Sequence, residues 1–261
     1  MDLGLAGKVA LVTGGAKGIG RAICETLAQE SASVAIVDRD VDEGSELAKS
    51  LVERGSRAVF IETDLCISDS CKAAVDFAIE QFDRLDIVVN NAGVNDSVGL
   101  ESELEAFSQS LQRNLDHYFL MAKFARAQLV KNAGTIINIG SKVSVTGQGG
   151  TSGYAAAKGA VNALTREWAV DLAPHGVRVN AVLPAEAWTP MYDAWLGSLE
   201  NPAESKAKIE RRIPLGNRFT TCEELATMVV FLASPQSSHT TGQIIHVDGG
   251  YTHFARRISC E

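Results

Sequence analysis

Short apolar runs rich in β-branched residues alternate along this chain with longer stretches of helical period. Lys8–Thr13, Ser33–Asp38, Ala58–Glu62, Ile87–Asn90, Thr135–Ile139, Arg178–Leu183 and Ile244–Val247 read as strands. Polar residues do not alternate through them, the pattern of strands covered on both faces. Between them the period predicts helices near 18–29, 42–54, 69–83, 101–131, 154–173 and 222–233. Thr220–Thr221, with Glu223 and Glu224 just beyond, supplies an N-cap signal for the last of these. Repeated strand–helix–strand units joined by right-handed crossovers give an α/β fold, a doubly wound parallel sheet with helices on both faces. Residues 186–217 break the rhythm with three prolines, Trp188, Trp195 and little strand pattern. That strip is expected to cover a substrate as a lid. With no internal repeat or linker, residues 1–261 are expected to form a single domain.

Composition narrows the function classes. Hydrophobic content is 46% and charged content 21%, as in globular chains. A net charge of -8 and the absence of a basic run argue against a nucleic-acid partner. No stretch approaches the ~18 apolar residues that would span a bilayer, and the N-terminal residues lack the pattern of a signal peptide. The five cysteines, Cys24, Cys66, Cys71, Cys222 and Cys260, are scattered without CxxC spacing. Reduced thiols in a cytoplasmic protein, with no metal site, are the expectation.

The first chemical signal is Thr13-Gly14-Gly15-Ala16-Lys17-Gly18-Ile19-Gly20, directly after the first strand and opening a helix. Glycines there let backbone N–H groups approach a pyrophosphate at a helix N-terminus, the Rossmann-type arrangement. Asp38 ends the second strand, where a carboxylate accepts hydrogen bonds from ribose hydroxyls and repels a 2′-phosphate. NAD is therefore favoured over NADP, although Arg39 follows at once and a loop cap is the competing reading of Asp38. The second signal is Tyr154 and Lys158, four apart and so on one helix face. A phenol's pKa lies near ~10, and a neighbouring ammonium should lower it towards a useful base. Ser141, at a strand end, can hydrogen-bond a substrate oxygen.

Taken together, TGGAKGIG, Asp64-Leu65, Asn90-Asn91-Ala92-Gly93, Asn114, Ser141, Tyr154-x-x-x-Lys158 and Asn180-Ala181-Val182-x-Pro184 resemble the short-chain dehydrogenase/reductase family over essentially the whole chain. The resemblance implies hydride transfer with a nicotinamide cofactor. It implies Tyr154, Lys158 and Ser141 as the catalytic centre, with Asn114 holding a relay water. It also implies a cofactor site that includes Gly14, Lys17, Gly18, Ile19, Gly20, Asp38 and Arg39. Asp64 and Leu65 would flank the adenine, Asn91, Ala92 and Gly93 the nicotinamide ribose, and Pro184 and Thr189 the nicotinamide amide. A homotetramer paired through helices 101–131 and 154–173 is the family's habit, and both helices carry apolar residues on more than one side, among them Phe119, Phe124, Trp168 and Val170.

Family membership leaves the substrate open. Asn95, Asp96, Lys142, Gln148 and Glu186 are expected around the cleft mouth, a polar set suited to a sugar or polyol. His117, Trp188, Tyr192 and Trp195 are further candidates against a pyranose face, with packing of the lid as the competing reading. Within the family, NNAGVND, SKVSVTGQGGTSGY and LPAEAWTP resemble bacterial L-fucose dehydrogenases, which oxidise an aldose at its anomeric carbon. A 3-oxoacyl-thioester reductase, a dehydrogenase of another secondary alcohol such as a steroid, and a nucleotide-sensing scaffold stay open beside it.

Overall fold

A computed structural model of the chain describes residues 2–253. Seven strands, β1 (Val9–Thr13), β2 (Ser33–Asp38), β3 (Ala58–Glu62), β4 (Ile87–Asn90), β5 (Thr135–Ile139), β6 (Arg178–Pro184) and β7 (Ile244–Val247), form one sheet. The order is β3-β2-β1-β4-β5-β6-β7 and every pairing is parallel. Successive strand residues feed opposite cores. Ala10, Val12, Val34, Ile36 and Val89 pack beneath α1 (Gly18–Gln29), α2 (Val41–Glu53) and α9 (Cys222–Ala233). Val9, Leu11, Ala35, Val37 and Val88 pack beneath α3 (Ser68–Phe82), α5 (His117–Asn132) and α6 (Ser152–Leu172). This two-faced burial is why polar residues do not alternate along the strands. Thr221 caps α9 in a capping box with Glu224, as the sequence predicts.

Two elements depart from the sequence pattern. The helix predicted over 101–131 is broken into α4 (Leu104–Leu111), one π-helical turn at Gln112–Asp116, and α5. Asn114 sits in that turn and its amide donates to the Ser110 carbonyl at 3.0 Å, competing with the regular ladder. The 186–217 strip contains two helices, α7 (Pro190–Gly197) and α8 (Pro202–Glu210), each with proline at its first position. Thr189 caps α7 through the Tyr192 N–H. The Thr-Pro and Asn-Pro pairs were the available signal for both helices.

At the lower end of the sheet, Asp86 is 2% exposed and accepts from Arg84 Nε and Nη2 at 2.8 and 2.6 Å and from the Val9 N–H at 2.9 Å. Burial alone would raise its pKa. The Arg84 and Val9 hydrogen bonds outweigh that and hold it below the ordinary carboxylate value. Among the described residues no helix is long and apolar enough to cross a membrane, and no group of three or more His, Cys, Asp or Glu could hold a metal. Cys24, Cys66, Cys71 and Cys222 are free thiols, and Cys260 lies outside the described residues.

Asp86→Ala should destabilise the fold by about 2–3 kcal/mol at neutral pH, since buried partners are left unpaired. A depressed carboxylate contributes its stability above the unfolded-state value and loses it as pH falls through the folded one. Denaturation midpoints of the two proteins should therefore converge below about pH 4.

Candidate active site

The strand order reverses between β1 and β4, and a crevice opens there at the carboxyl ends of the strands. Two contacts set its floor. The Asn91 amide donates to the carbonyls of Thr13 and Gly14, both at 2.9 Å, tying the end of β4 to the glycine-rich turn. A Cβ on Gly20 would lie 2.0 Å from the Gly14 carbonyl oxygen, so only glycine lets α1 start this close. Lys17, at the N-cap of α1, makes no side-chain cap bond, and the first turn carries no acidic residue. Those backbone N–H groups form an electropositive cradle that suits a pyrophosphate.

The resulting cleft has a volume of about 540 Å³. Gly14, Lys17, Gly18, Ile19 and Gly20 line it beside Asp38, Arg39, Asp64 and Leu65 at one end. Asn91, Ala92, Gly93, Tyr154, Lys158, Pro184 and Thr189 line the other. Every position expected at the cofactor is thus brought to one cleft. Asp38 accepts from the Ala16 N–H at 3.0 Å and the Asp40 N–H at 3.1 Å, so it braces both the glycine-rich turn and its own loop. Lys17 is drawn aside into an ion pair with Asp40 at 2.8 Å.

Tyr154 stands in the first turn of α6 and Lys158 one turn on. Burial pushes the Tyr154 phenol upward, opposed by a hydrogen bond with Ser141. The expected lowering by Lys158 is not what this geometry gives. Lys158 Nζ lies 5.6 Å from the Tyr154 ring centroid and donates instead to Tyr118 Oη and the Ile139 carbonyl, both at 2.8 Å. Complete burial brings the Lys158 pKa down to about 7. Asn114 is buried with both ends of its side chain committed, Oδ1 accepting from the Val94 N–H at 2.7 Å and Nδ2 donating to Ser110. His117 lines the cleft at 1% exposure, its Nε2 within 3.1 Å of the Arg113 carbonyl.

The substrate candidates divide. Lys142, next to Ser141, pairs with Glu186 and lies 4.4 Å over the Tyr251 ring. Glu186 also accepts from Tyr192 Oη at 2.6 Å, linking the segment after β6 to α7. Burial and this carboxylate together push the Tyr192 phenol far above its ordinary value. Lys142 and Glu186 do not line the cleft, and four other expected residues stand apart from it as well. Asn95 caps the Ser97 N–H, and Asp96 accepts from Ser110 Oγ at 2.8 Å beside Arg113. Gln148 is exposed, and Trp188 packs edge-on to Phe219 under the Lys206 ammonium. Loop direction decides these four, and the sequence carries no signal for it. Tyr118, which accepts from the Lys158 ammonium, was not expected, whereas Tyr192, a candidate for a pyranose face, donates to Glu186 and packs edge-on to Trp195.

With this geometry in place, the comparisons with known proteins become informative. Residues 14–252 match the family model described as Enoyl-(Acyl carrier protein) reductase. The chain belongs to the short-chain dehydrogenase/reductase family. This is an oxidoreductase family that uses nicotinamide cofactors. The chain is 39% identical over 256 residues to the cis-4-hydroxycyclohexanecarboxylate dehydrogenase of Sinomonas cyclohexanicum, covering 97% of this chain and 99% of the relative. It is 36% identical over 251 residues to the 3-oxoacyl-[acyl-carrier-protein] reductase of Thermotoga maritima, covering 94% and 98%. It is 38% identical over 246 residues to the L-fucose dehydrogenase of Mus musculus, covering 94% and 88%. The crystal structure of the Cj0485 dehydrogenase superposes with a TM-score of 0.96 at 42% identity over 100% of both chains. The names of these relatives point to three different substrates, so family membership fixes the reaction type and leaves the substrate to the site.

Removing Glu186 strands the Lys142 ammonium and frees α7. Glu186→Ala is expected to cost about 3 kcal/mol in chemical denaturation and to speed proteolysis within 190–210. Glu186→Gln, which keeps an acceptor for Tyr192, should lose less.

Proposed function

We propose that this chain is an NAD-dependent dehydrogenase that oxidises the anomeric carbon of L-fucose, or of an aldose sharing its hydroxyl stereochemistry, to the lactone. The observation that carries the substrate reading is the half-buried Lys142–Glu186–Tyr192 cluster, built on the buried Glu186 carboxylate, with Lys142 next to Ser141 in the chain. It offers an ammonium donor and a carboxylate acceptor with no net charge from the pair. Neighbouring hydroxyls of a neutral sugar can use both, and leaving such groups unmatched against an acyl chain costs about 1–3 kcal/mol each. A substrate carboxylate attracted by Lys142 would meet the opposing charge of Glu186. Similarity to the mouse L-fucose dehydrogenase supports the same reading.

Asp38 supports NAD over NADP. Its carboxylate lines the adenine end of the cleft, it makes no ion pair among the described residues, and a 2′-phosphate placed there would be repelled. The glycine-rich turn, Asn91, Gly93, Pro184 and Thr189 would hold the cofactor, whose nicotinamide supplies a two-electron acceptor for the hydride leaving C1. The other half of the reaction falls to the protein. Ser141 Oγ fixes the C1 oxygen, and Tyr154 Oη takes the hydroxyl proton as the C1–O bond becomes a carbonyl. Burial raises the Tyr154 phenol and the Ser141 hydrogen bond opposes it. Lys158, with Nζ 5.6 Å from the ring and no bond to the phenol, would favour the phenolate only through the field of its charge. The Asn114 side chain already ties Val94 to Ser110, which fixes this position under the cleft. The helices α7 and α8 form the lid, and Glu186 fastens the first of them. The exposed faces of Phe119 and Val170 on α5 and α6 support a homotetramer, and light scattering at micromolar concentration should give four times the chain mass.

The deciding experiment follows nicotinamide reduction with L-fucose, L-galactose, D-arabinose, cis-4-hydroxycyclohexanecarboxylate and a 3-hydroxyacyl thioester, each with NAD and NADP. Turnover confined to the aldoses and NAD is expected, falling by about 10²–10⁴ in Tyr154→Phe. Turnover of the hydroxy acid or the thioester alone would discard the sugar reading and keep the reaction type.

A further inference from the structure

Beneath the cleft lies a closed triangle of polar groups that the reaction as described does not use. Tyr118, in the first turn of α5, is 0% exposed, and its Oη donates to the Ile139 carbonyl at 2.8 Å. With that proton committed, the Tyr118 oxygen has only lone pairs to offer. Lys158 Nζ donates to it at 2.8 Å and to the same Ile139 carbonyl at 2.8 Å. The triangle joins α5, α6 and the end of β5, two residues before Ser141. From the opposite side Gly93 closes over the ammonium, since a Cβ there would lie 3.3 Å from Nζ and 3.1 Å from Asn114 Oδ1. Two of the three ammonium protons are therefore fixed below, and Lys158 still lines the cleft.

We propose that Tyr118 is a positioning residue for proton transfer, its hydroxyl fixing the Lys158 ammonium at the depth and in the charge state from which it acts on Tyr154. The inference rests on the reading of Tyr154 and Lys158 as the proton-handling pair. Among the described residues no carboxylate lies within ion-pair distance of Lys158. The titratable and charged groups around it are Tyr154 from α6, His117 and Tyr118 from α5, and Arg113 from the π turn at the shared cleft. None supplies negative charge at rest. Burial, and then the Lys158 charge, push His117 down to about 3, so it stays neutral. Stabilisation of the buried ammonium thus falls to two neutral oxygens, those of Tyr118 and Ile139. Deleting one of them disfavours the charged form and lets Nζ drift. Lys158 would then lose its proton at lower pH, and Tyr154 would lose the charge that favours its phenolate.

Tyr118→Phe removes that oxygen and keeps the ring in the core. The pH profile of kcat/KM should lose its alkaline side about one unit lower than in the wild type, since the titration belongs to the coupled Tyr154–Lys158 pair. At neutral pH kcat should fall about tenfold while KM for NAD changes less than about threefold. A residue that merely fills the core would leave the profile in place, and superimposable profiles with kcat within about twofold would overturn the proposal. If the variant is too unstable to assay, Tyr118→3-fluorotyrosine keeps ring and hydroxyl while weakening the acceptor. It should shift the profile the same way by less, and an unshifted profile there overturns the proposal equally. Tyr154→Phe is run alongside. Full activity in that control overturns the pair itself, whereas a dead control with an unshifted Tyr118→Phe profile overturns only the role of Tyr118.

Discussion

The site depends on how closely two strand ends approach each other at the point where the sheet reverses. The Asn91 amide bridges the carbonyls of Thr13 and Gly14, and Gly20 leaves no atom between α1 and the Gly14 carbonyl. This contact converts a generic strand–helix turn into a cradle with unshielded backbone N–H groups. It also fixes the depth of the cleft, because Ala92 and Gly93 follow directly from Asn91. A side chain at either glycine would force the two halves of the sheet apart.

A second layer of polar bonds lies under the cleft and carries the positions of the reacting groups. The Asn90 amide donates to Asn138 Oδ1 at 3.0 Å, and the Asn138 amide donates to Thr165 Oγ1 at 2.9 Å, joining β4, β5 and α6. In this buried, low-dielectric layer each such bond is stronger than it would be in water. The Lys158 triangle continues the same layer toward Ser141. With two neutral oxygens as its partners, the buried Lys158 ammonium is held below its ordinary pKa by desolvation.

A third contact is built differently, from a charged pair between segments that are distant in sequence. Lys142 comes from the loop after β5, Glu186 from the segment after β6, and Tyr192 from α7. One carboxylate thereby ties the ends of two neighbouring strands to the helix that follows them.

Much of this was legible in the chain itself. Strand positions follow from runs buried on both faces, and the glycine-rich turn, Asp38, Ser141 and the Tyr154–Lys158 spacing stand at fixed places on predicted elements. Local propensity and period decide the elements, so the sequence determined the fold class. The places of Asp64, Leu65, Asn91, Pro184 and Thr189 in the cleft lining were legible only through the family resemblance. The sequence did not determine which way loop side chains turn. Asn95, Asp96, Gln148 and Trp188 read as polar or aromatic candidates, yet each finds a partner or solvent away from the cleft. The π turn at Asn114 was also hidden, because its side-chain amide competes for the Ser110 carbonyl of the helical ladder while its Oδ1 accepts from Val94 across the fold. Tertiary structure alone placed Tyr118 against Lys158 and Tyr192 against Glu186. Those contacts join residues 40 and 6 apart that no local periodicity relates, and only packing brings their polar atoms into a space where each must find the other.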